Sequence, residues 1–453
     1  MNRAANIMAS LAAAAMLCSC DGEPAPRGVR VVLITLDTLR HDRFEPQPGK
    51  ASNMPLTYAH AERGMIFDRY YSVSSVTQPA HATMFTGLQP WEHGITRNGI
   101  VLPESIPTVT ETMKASGFET RAVVASYPLT KRFGFARGFA GWTEDFSHNL
   151  SSNKRLWEDH WKIESGEFFE VGDAISASAL DEINAASATK QFFWFHYFDP
   201  HAPYGAASRA GSVRKRDIMA EIPNGRASVD RVLGEAVALY DKDVAFMDNA
   251  LNRVLERLKQ DEARFETHII VVSDHGESLG EDNSVGHGAR LTDAELHVPA
   301  FIISPRVSPG SDHEVVASVD IAPTLLSLAG IEMESAAFEG RDLTQPRNDD
   351  AKSPLRAFAI RRTFQNTGKV EQRLDGIDYP IEGLLFGAVD ENGVIHRGNE
   401  SGLQPDPTRV AQAHRGEIIS NFSDFTRDFE RTAPAQLITP EDRRALEALG
   451  YVQ

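Results

Sequence analysis

Four uninterrupted apolar runs rich in β-branched and aromatic residues stand out along the chain. Val29–Leu36 ends at Asp37, Gln191–Phe198 at Asp199 and His268–Ser273 at Asp274; Val298–Ser304 is the fourth. A continuous apolar run, unlike an alternating one, predicts a strand buried on both faces, as in a parallel sheet. Between the runs lie stretches with apolar residues at helical spacing, the longest over Arg231–Lys259. Strands alternating with helices predict a layered α/β/α domain. Ligands of such sheets sit beyond the carboxyl ends of the strands. A single aspartate there is an ordinary turn or cap residue; three point to a shared site.

The remaining pattern divides the chain. Residues 204–230 are polar, carry Arg214-Lys215-Arg216 and read as a surface loop. Residues 341–354 read as a linker between a main α/β domain over 29–340 and a small C-terminal α+β subdomain over 355–453. That subdomain has short β-like runs, the turn Glu391-Asn392-Gly393 and a final helix over Pro440–Leu449.

Charge and cysteine content narrow the chemistry. The 46 Lys+Arg against 63 Asp+Glu give a formal charge of −17. That balance excludes a nucleic-acid binder, which needs clustered cations. An anionic substrate would have to be drawn in by local charge, most simply a metal ion. The two cysteines, Cys18 and Cys20, leave no disulfide framework, thiolate zinc site or cysteine nucleophile in the body. Before them, Arg3 precedes the apolar run Ile7–Leu17, too short to span a bilayer but suited to a secretory signal. Leu17-Cys18-Ser19-Cys20 resembles the bacterial lipobox. The resemblance implies a signal peptide over 1–19, lipidation of Cys20, a linker over 20–28 and anchoring on the periplasmic side. Asp21 would favour retention at the inner membrane.

The chemistry-bearing motifs span most of the chain. They are Leu33-Ile-Thr-Leu-Asp37-Thr-Leu-Arg40, Thr77-Gln-Pro-Ala-His81, His93-Gly-Ile-Thr-Arg-Asn98-Gly99 and Asp199-Pro-His201-Ala-Pro-Tyr204. Ser273-Asp274-His275-Gly-Glu-Ser-Leu-Gly280, Gly286-His287-Gly288, Val319–Gly330 and Leu446–Tyr451 follow. In this order they resemble the sulfatase family of the alkaline phosphatase superfamily. The resemblance implies an alkaline-phosphatase-like α/β/α sandwich and a metal-dependent hydrolase of anionic esters.

One position departs from true sulfatases. Their nucleophile lies in Cys/Ser-x-Pro-x-Arg and is oxidised to formylglycine; here the stretch is Thr77-Gln78-Pro79-Ala80-His81. Threonine carries a methyl on Cβ, so oxidation cannot yield the aldehyde. Phosphodiesterase and phosphotransferase branches of the superfamily use a threonine whose hydroxyl a metal ion activates. By resemblance, Asp37, Thr77, Asp274 and His275 hold one divalent ion, with Zn²⁺ or Mn²⁺ favoured by the oxygen and imidazole set and Ca²⁺ or Mg²⁺ possible. Thr77 is also a natural N-cap for a helix starting near Pro79. Asn98 is an oxyanion donor or a turn residue. His201 and His287 contact the transferred group or protonate the leaving oxygen, or join Asp199 at a second metal. Asp199 and His81 are substrate-contact candidates, His81 with packing as the alternative. His60, His93, His268 and His297 are expected to be packing or surface residues. Glu277 and Glu281 are expected to be solvated or to support the site. The implied reaction is cleavage of phosphate or phosphonate (di)esters through Thr77. The alternatives are sulfate-ester hydrolysis without formylglycine, transfer to an envelope glycan or lipid headgroup, and an anion-binding pseudoenzyme.

Overall fold

A computed structural model describes residues 27–146, 169–332 except 289, 338–346 and, with short gaps, the strands between 355 and 403. The expected signal peptide, Cys20, Asp21, most of the 341–354 linker and the Pro440–Leu449 helix lie outside the described residues.

The strands of the main sheet are β1 (Gly28–Leu36), β2 (Met65–Tyr71), β3 (Glu119–Val123), β4 (Gly141–Thr143), β5 (Lys190–Tyr197) and β6 (Phe265–Ser273). After a two-residue ladder of β7 (Ser278–Leu279) and β8 (Val285–Gly286), β9 (Ala300–Ile303) and β10 (Gly310–Ala317) complete it. The helices are α1 (His41–Phe44), α2 (Pro55–Ala61), α3 (Thr77–Thr86), α4 (Pro90–His93) and α5 (Val109–Ala115). Then come α6 (Gly172–Ala185), α7 (Lys215–Met219), α8 (Arg226–Gln260), α9 (Asp293–Leu296) and α10 (Ile321–Leu328). Strand order is β10-β2-β9-β6-β1-β5-β3-β4, parallel except for β9, which runs antiparallel to β6 and β2.

Side-chain alternation explains the layers. Val32, Ile34, Leu36, Phe193, Phe195 and Tyr197 join α6 and α8 in one core, whereas Val31, Leu33, Phe192 and Trp194 join α3, α5 and α10 in the other. Both faces are covered, as the unbroken apolar runs require. The 35-residue α8 extends the expected helix at its N-terminal end, because residues 226–230 continue its amphipathic face with Val229. The expected surface loop over 204–230 is therefore a correction: it holds α7 and the start of α8, and buries Tyr204 and Ile218.

A small antiparallel sheet follows, β11 (Leu355–Arg362), β14 (Leu384–Asp390), β15 (Ile395–Asn399) and β16 (Gly402–Leu403) in that order; β12 (Val370–Gln372) pairs separately with β13 (Asp378–Pro380). Val389 packs beside the sheet edge with Tyr71, Val315 and Ala317.

Candidate active site

Strand register builds the centre of the site. Leu36 lies beside Ser273 of β6 and Tyr197 of β5, so Asp37 and Asp274, the next residue on each strand, emerge at one level. Asp274 N–H bonds Leu36 O at 3.2 Å and Asp37 N–H bonds Tyr197 O at 2.9 Å, which holds that level. After Asp37 the chain turns through Thr38 at φ 55°. A β-branched residue in the left-handed region is strained, and such strain persists where the surroundings impose it. Here Tyr240 of α8 donates its hydroxyl to Thr38 O at 2.8 Å, and Thr38 N–H bonds Asp274 Oδ1 at 3.3 Å.

Helix α3 brings Thr77 to these carboxylates. The helix begins at Thr77 itself, with Val76 as N-cap; this corrects the expectation that Thr77 caps a later start. Thr77 thus sits at the N-terminal end of α3, where the positive end of the helix dipole favours a bound anion. Asn98 supplies the cap instead: its Oδ1 accepts from Gln78 N–H at 2.8 Å, while its buried Nδ2 has no hydrogen-bond acceptor among the described residues. Gln78 holds the Asn98 loop in turn, its Oε1 accepting from Gly99 and Ile100 N–H.

Asp37, Asp274 and His275 offer ligand atoms that all lie within 4.8 Å of one another, every residue fully buried. Thr77 Oγ1 is 3.3 Å from His275 Nε2. His275 Nδ1 donates to Gly276 O at 3.0 Å, which leaves the Nε2 lone pair facing the carboxylates. Both Asp37 oxygens and Asp274 Oδ2 lack hydrogen-bond donors among the described residues. Burial, and then the Asp274 charge, push the Asp37 carboxyl well above the carboxylate range; burial does the same to Asp274. Two buried carboxylates with three oxygens unpartnered among the described residues, beside an imidazole nitrogen and the Thr77 hydroxyl, form a set that fits a divalent cation.

The other candidates surround this centre. The His287 ring is 4.4 Å from that of His275 and 4.9 Å from that of His201. His201 stacks on Phe198 at 4.2 Å and bonds Ala202 O through Nδ1 at 2.6 Å. Burial first, then neighbouring histidines, push the His201 and His275 pKa values well below the ordinary; burial, then Lys215, takes His287 to about 3. Glu277 is fully buried, not solvated, and its Oε1 lies 3.3 Å from His287 Nδ1; burial raises its carboxyl to about 8. Glu281 pairs with Arg40 at 2.7 Å. Lys215, expected on a solvated loop, has its side chain against Gly286 and acts on both Glu277 and His287.

Two expected substrate contacts are redirected by tertiary structure. Both ring nitrogens of His81 face protein atoms, Thr77 O at 2.9 Å and Thr35 Oγ1 at 3.0 Å, so the ring packs beneath the site rather than into it. Asp199 Oδ1 accepts from Gly172 N–H at 2.7 Å, at the start of α6, and Asp199 is not part of the metal-ligating group. No second cluster of three metal-ligating side chains exists among the described residues. His60, His93 and His268 are buried in packing positions, and His297 stacks on His41 and Tyr71. His196, a residue that sequence reading missed, faces Asp37 from β5 at 3.6 Å. Its only signal was a polar residue inside an otherwise apolar strand.

Asp199 gives a pH test of the local electrostatics. Burial, partly offset by the Gly172 N–H bond, raises its carboxyl from 3.8 to about 8. A raised acid contributes stability that is full below its unfolded value and is lost as pH rises toward the folded one. Asp199→Asn keeps the acceptor without the charge. The variant is expected to gain stability relative to wild type between pH 5 and about 8, read by thermal unfolding across that range. Parallel curves for the two proteins would remove Asp199 as the cause.

Comparison with known proteins places this geometry. The sulfatase family model matches residues 30–331. The chain is 25% identical over 338 residues to the uncharacterised sulfatase YidJ of Escherichia coli, covering 66% of this chain and 68% of that protein. It is 21% identical over 355 residues to the choline-sulfatase of Rhizobium meliloti, covering 67% and 68%. Among solved structures it is similar to the phosphonate monoester hydrolase SpPMH from Silicibacter pomeroyi, with TM-score 0.61, 20% identity and coverage of 90% and 97%. It is also similar to BT1596, a 2-O GAG sulfatase, with TM-score 0.66, 15% identity and coverage of 90% and 94%. The α/β/α sandwich, the strand-end aspartates and the match over residues 30–331 agree: the chain belongs to the sulfatase family, whose members are ester hydrolases of the alkaline phosphatase superfamily.

Proposed function

We propose that the protein hydrolyses phosphate or phosphonate esters through Thr77 as nucleophile. The observation that carries this reading is the Thr77 hydroxyl, 3.3 Å from His275 Nε2 at the first position of α3, with a β-methyl that forbids formylglycine. Asp37, Asp274, His275 and Thr77 would hold one divalent cation. When bound, it would lower the hydroxyl's pKa and offset the charge of the buried carboxylates. Thr77 Oγ, its proton released to solvent as the hydroxyl's pKa falls, attacks phosphorus, and the bond to the leaving oxygen breaks. Asn98 Nδ2, buried and without an acceptor among the described residues, meets the charge on the non-bridging oxygens. His287 protonates the leaving oxygen from one ring nitrogen while its Nδ1 takes the proton that the buried Glu277 carboxyl holds, and His201 lies beside it. Water then attacks the phospho-threonine and Thr77 Oγ departs.

A sulfate-ester reading is favoured by one observation, the sulfatase names of the relatives; the solved relative BT4656 was captured with D-glucosamine-2-N,6-O-disulfate. Bis-p-nitrophenyl phosphate, p-nitrophenyl phenylphosphonate and p-nitrophenyl sulfate, assayed side by side on metal-analysed protein, separate the two. Cleavage of sulfate alone would overturn the proposal. The lipid anchor at Cys20 and the periplasmic location belong to the same proposal, tested by whether the expressed protein partitions with membranes.

His287→Ala is expected to lower kcat/KM by about 10²- to 10⁴-fold on an alkyl phosphodiester, the range for a lost general acid. The loss should be much smaller on a p-nitrophenyl ester, whose leaving group needs no proton. Equal losses on both esters would deny His287 that role.

A further inference from the structure

His196 lies on β5 beside Thr35 of β1, two residues before Asp37. Its side chain shares the α3 face with Trp194, and the ring is fully buried, edge-on to His81 at 5.2 Å. The two ring nitrogens have different surroundings. Nδ1 accepts from Ala125 N–H at 3.3 Å, at the end of β3. An accepting Nδ1 in a neutral imidazole places the hydrogen on Nε2. That Nε2 points at Asp37 Oδ2, 3.6 Å away, and neither atom has a hydrogen-bond partner among the described residues. The gap is a few tenths of an ångström beyond a hydrogen bond. The other Asp37 oxygen, Oδ1, faces His275 Nε2 at 3.9 Å. The carboxylate is thus divided between an imidazole hydrogen on one side and the ligand cluster on the other.

We infer that His196 is a positioning residue for the candidate metal centre, its Nε2–H donating to Asp37 Oδ2 and thereby keeping Oδ1 turned to the cation. Ala125 serves this arrangement by fixing the tautomer. A hydrogen bond to the non-ligating oxygen orients a carboxylate and moderates its charge without entering the coordination sphere. The inference rests on the proposed metal site.

The test is metal affinity, measured with Zn²⁺ and Mn²⁺ against a chelating indicator on metal-stripped protein. His196→Phe removes the donor and keeps bulk; His196→Gln places an amide N–H near the position of Nε2. His196→Phe is expected to weaken binding by about 10- to 100-fold, the usual cost of losing such a partner, and His196→Gln to recover most of it. His196→Leu carries the same comparison if the phenylalanine variant does not fold. X-ray absorption of the zinc-loaded wild type should count one imidazole, that of His275. Wild-type affinity in folded His196→Phe, no recovery in His196→Gln, or a second imidazole on zinc would each overturn the role of His196 alone. A wild type that binds neither metal would overturn the metal reading itself.

Discussion

Thr77→Ala is expected to lower kcat/KM on a phosphate or phosphonate ester by roughly 10³- to 10⁶-fold, the range for deleting a nucleophile from an assembled site. The protein should stay folded and keep its metal. Every residue of α3 is buried, so the substitution removes one hydroxyl and one methyl from a packed position, a cost of about 1 kcal/mol. The helix start survives because Asn98, not Thr77, accepts the Gln78 N–H. Asp37, Asp274 and His275 are untouched, so elemental analysis should still find the ion. Thr77→Ser keeps Oγ at the same place and should retain much of the rate. Turnover unchanged in Thr77→Ala, with metal present, would mean that water attacks the substrate directly and that Thr77 is only a helix residue.

Asp37→Asn is expected to abolish metal binding and turnover while stabilising the metal-free protein. Asp37 and Asp274 emerge side by side because Leu36 and Ser273 are in register, and burial raises both carboxyl pKa values. The metal-free native state therefore holds protons that the unfolded chain releases. That contribution is full below the ordinary carboxylate value of 3.8 and is lost as pH rises through the folded values. An amide at position 37 is neutral in both states and removes the proton uptake that burying this carboxyl requires. The melting temperature of the metal-free variant at pH 7 should rise by roughly 2–4 °C, about what 1 kcal/mol gives in a domain of this size. Turnover should fall by more than the roughly 100-fold that losing a supporting residue costs. Calorimetry of both proteins with and without chelator reads the two effects together. A metal-free variant that melts below wild type would show that the Asp37 carboxylate is satisfied by protein groups.

Opposite effects of one substitution on stability and function are what a binding site assembled before its ligand should show. The unpartnered Asp37 oxygens, Asp274 Oδ2 and Asn98 Nδ2 cost stability in the free protein. The strained Thr38 adds to that cost. All lie within the few residues that follow β1 and β6 or, for Asn98, in the loop that caps α3, and none is exposed.

The sequence by itself determined the sheet and brought the candidate metal ligands into view. Apolar runs at 29–36, 191–198 and 268–273 are long and unbroken because both faces of a parallel strand are buried, and that pattern needs no knowledge of neighbours. Asp37 and Asp274 were legible because each directly follows such a run, at a strand's carboxyl end; His275, next to Asp274, and the grouping of the three came from the family resemblance of their motifs. The outer strands β2, β3, β4 and β10 were missed, being short or interrupted by polar residues such as Asp68, Arg69 and Asp312.

Only the tertiary structure decided which polar residues face the centre. Asp199 has the same local signature as Asp37, yet it turns to the first N–H of α6, an element that folds back onto its strand. His81 has the type of a substrate ligand but spends both nitrogens on Thr77 and Thr35. Lys215 read as a solvated charge and Glu277 as either solvated or supporting the site; packing of α7 and of the chain after β6 brings both toward His287. His196, hidden in an apolar run, reaches Asp37 because β5 lies next to β1 in register. Strand burial is set by a residue's own neighbours in sequence. The direction of a buried polar group is set by whichever donor or acceptor from a distant element arrives opposite it, and that is fixed only when the layers close.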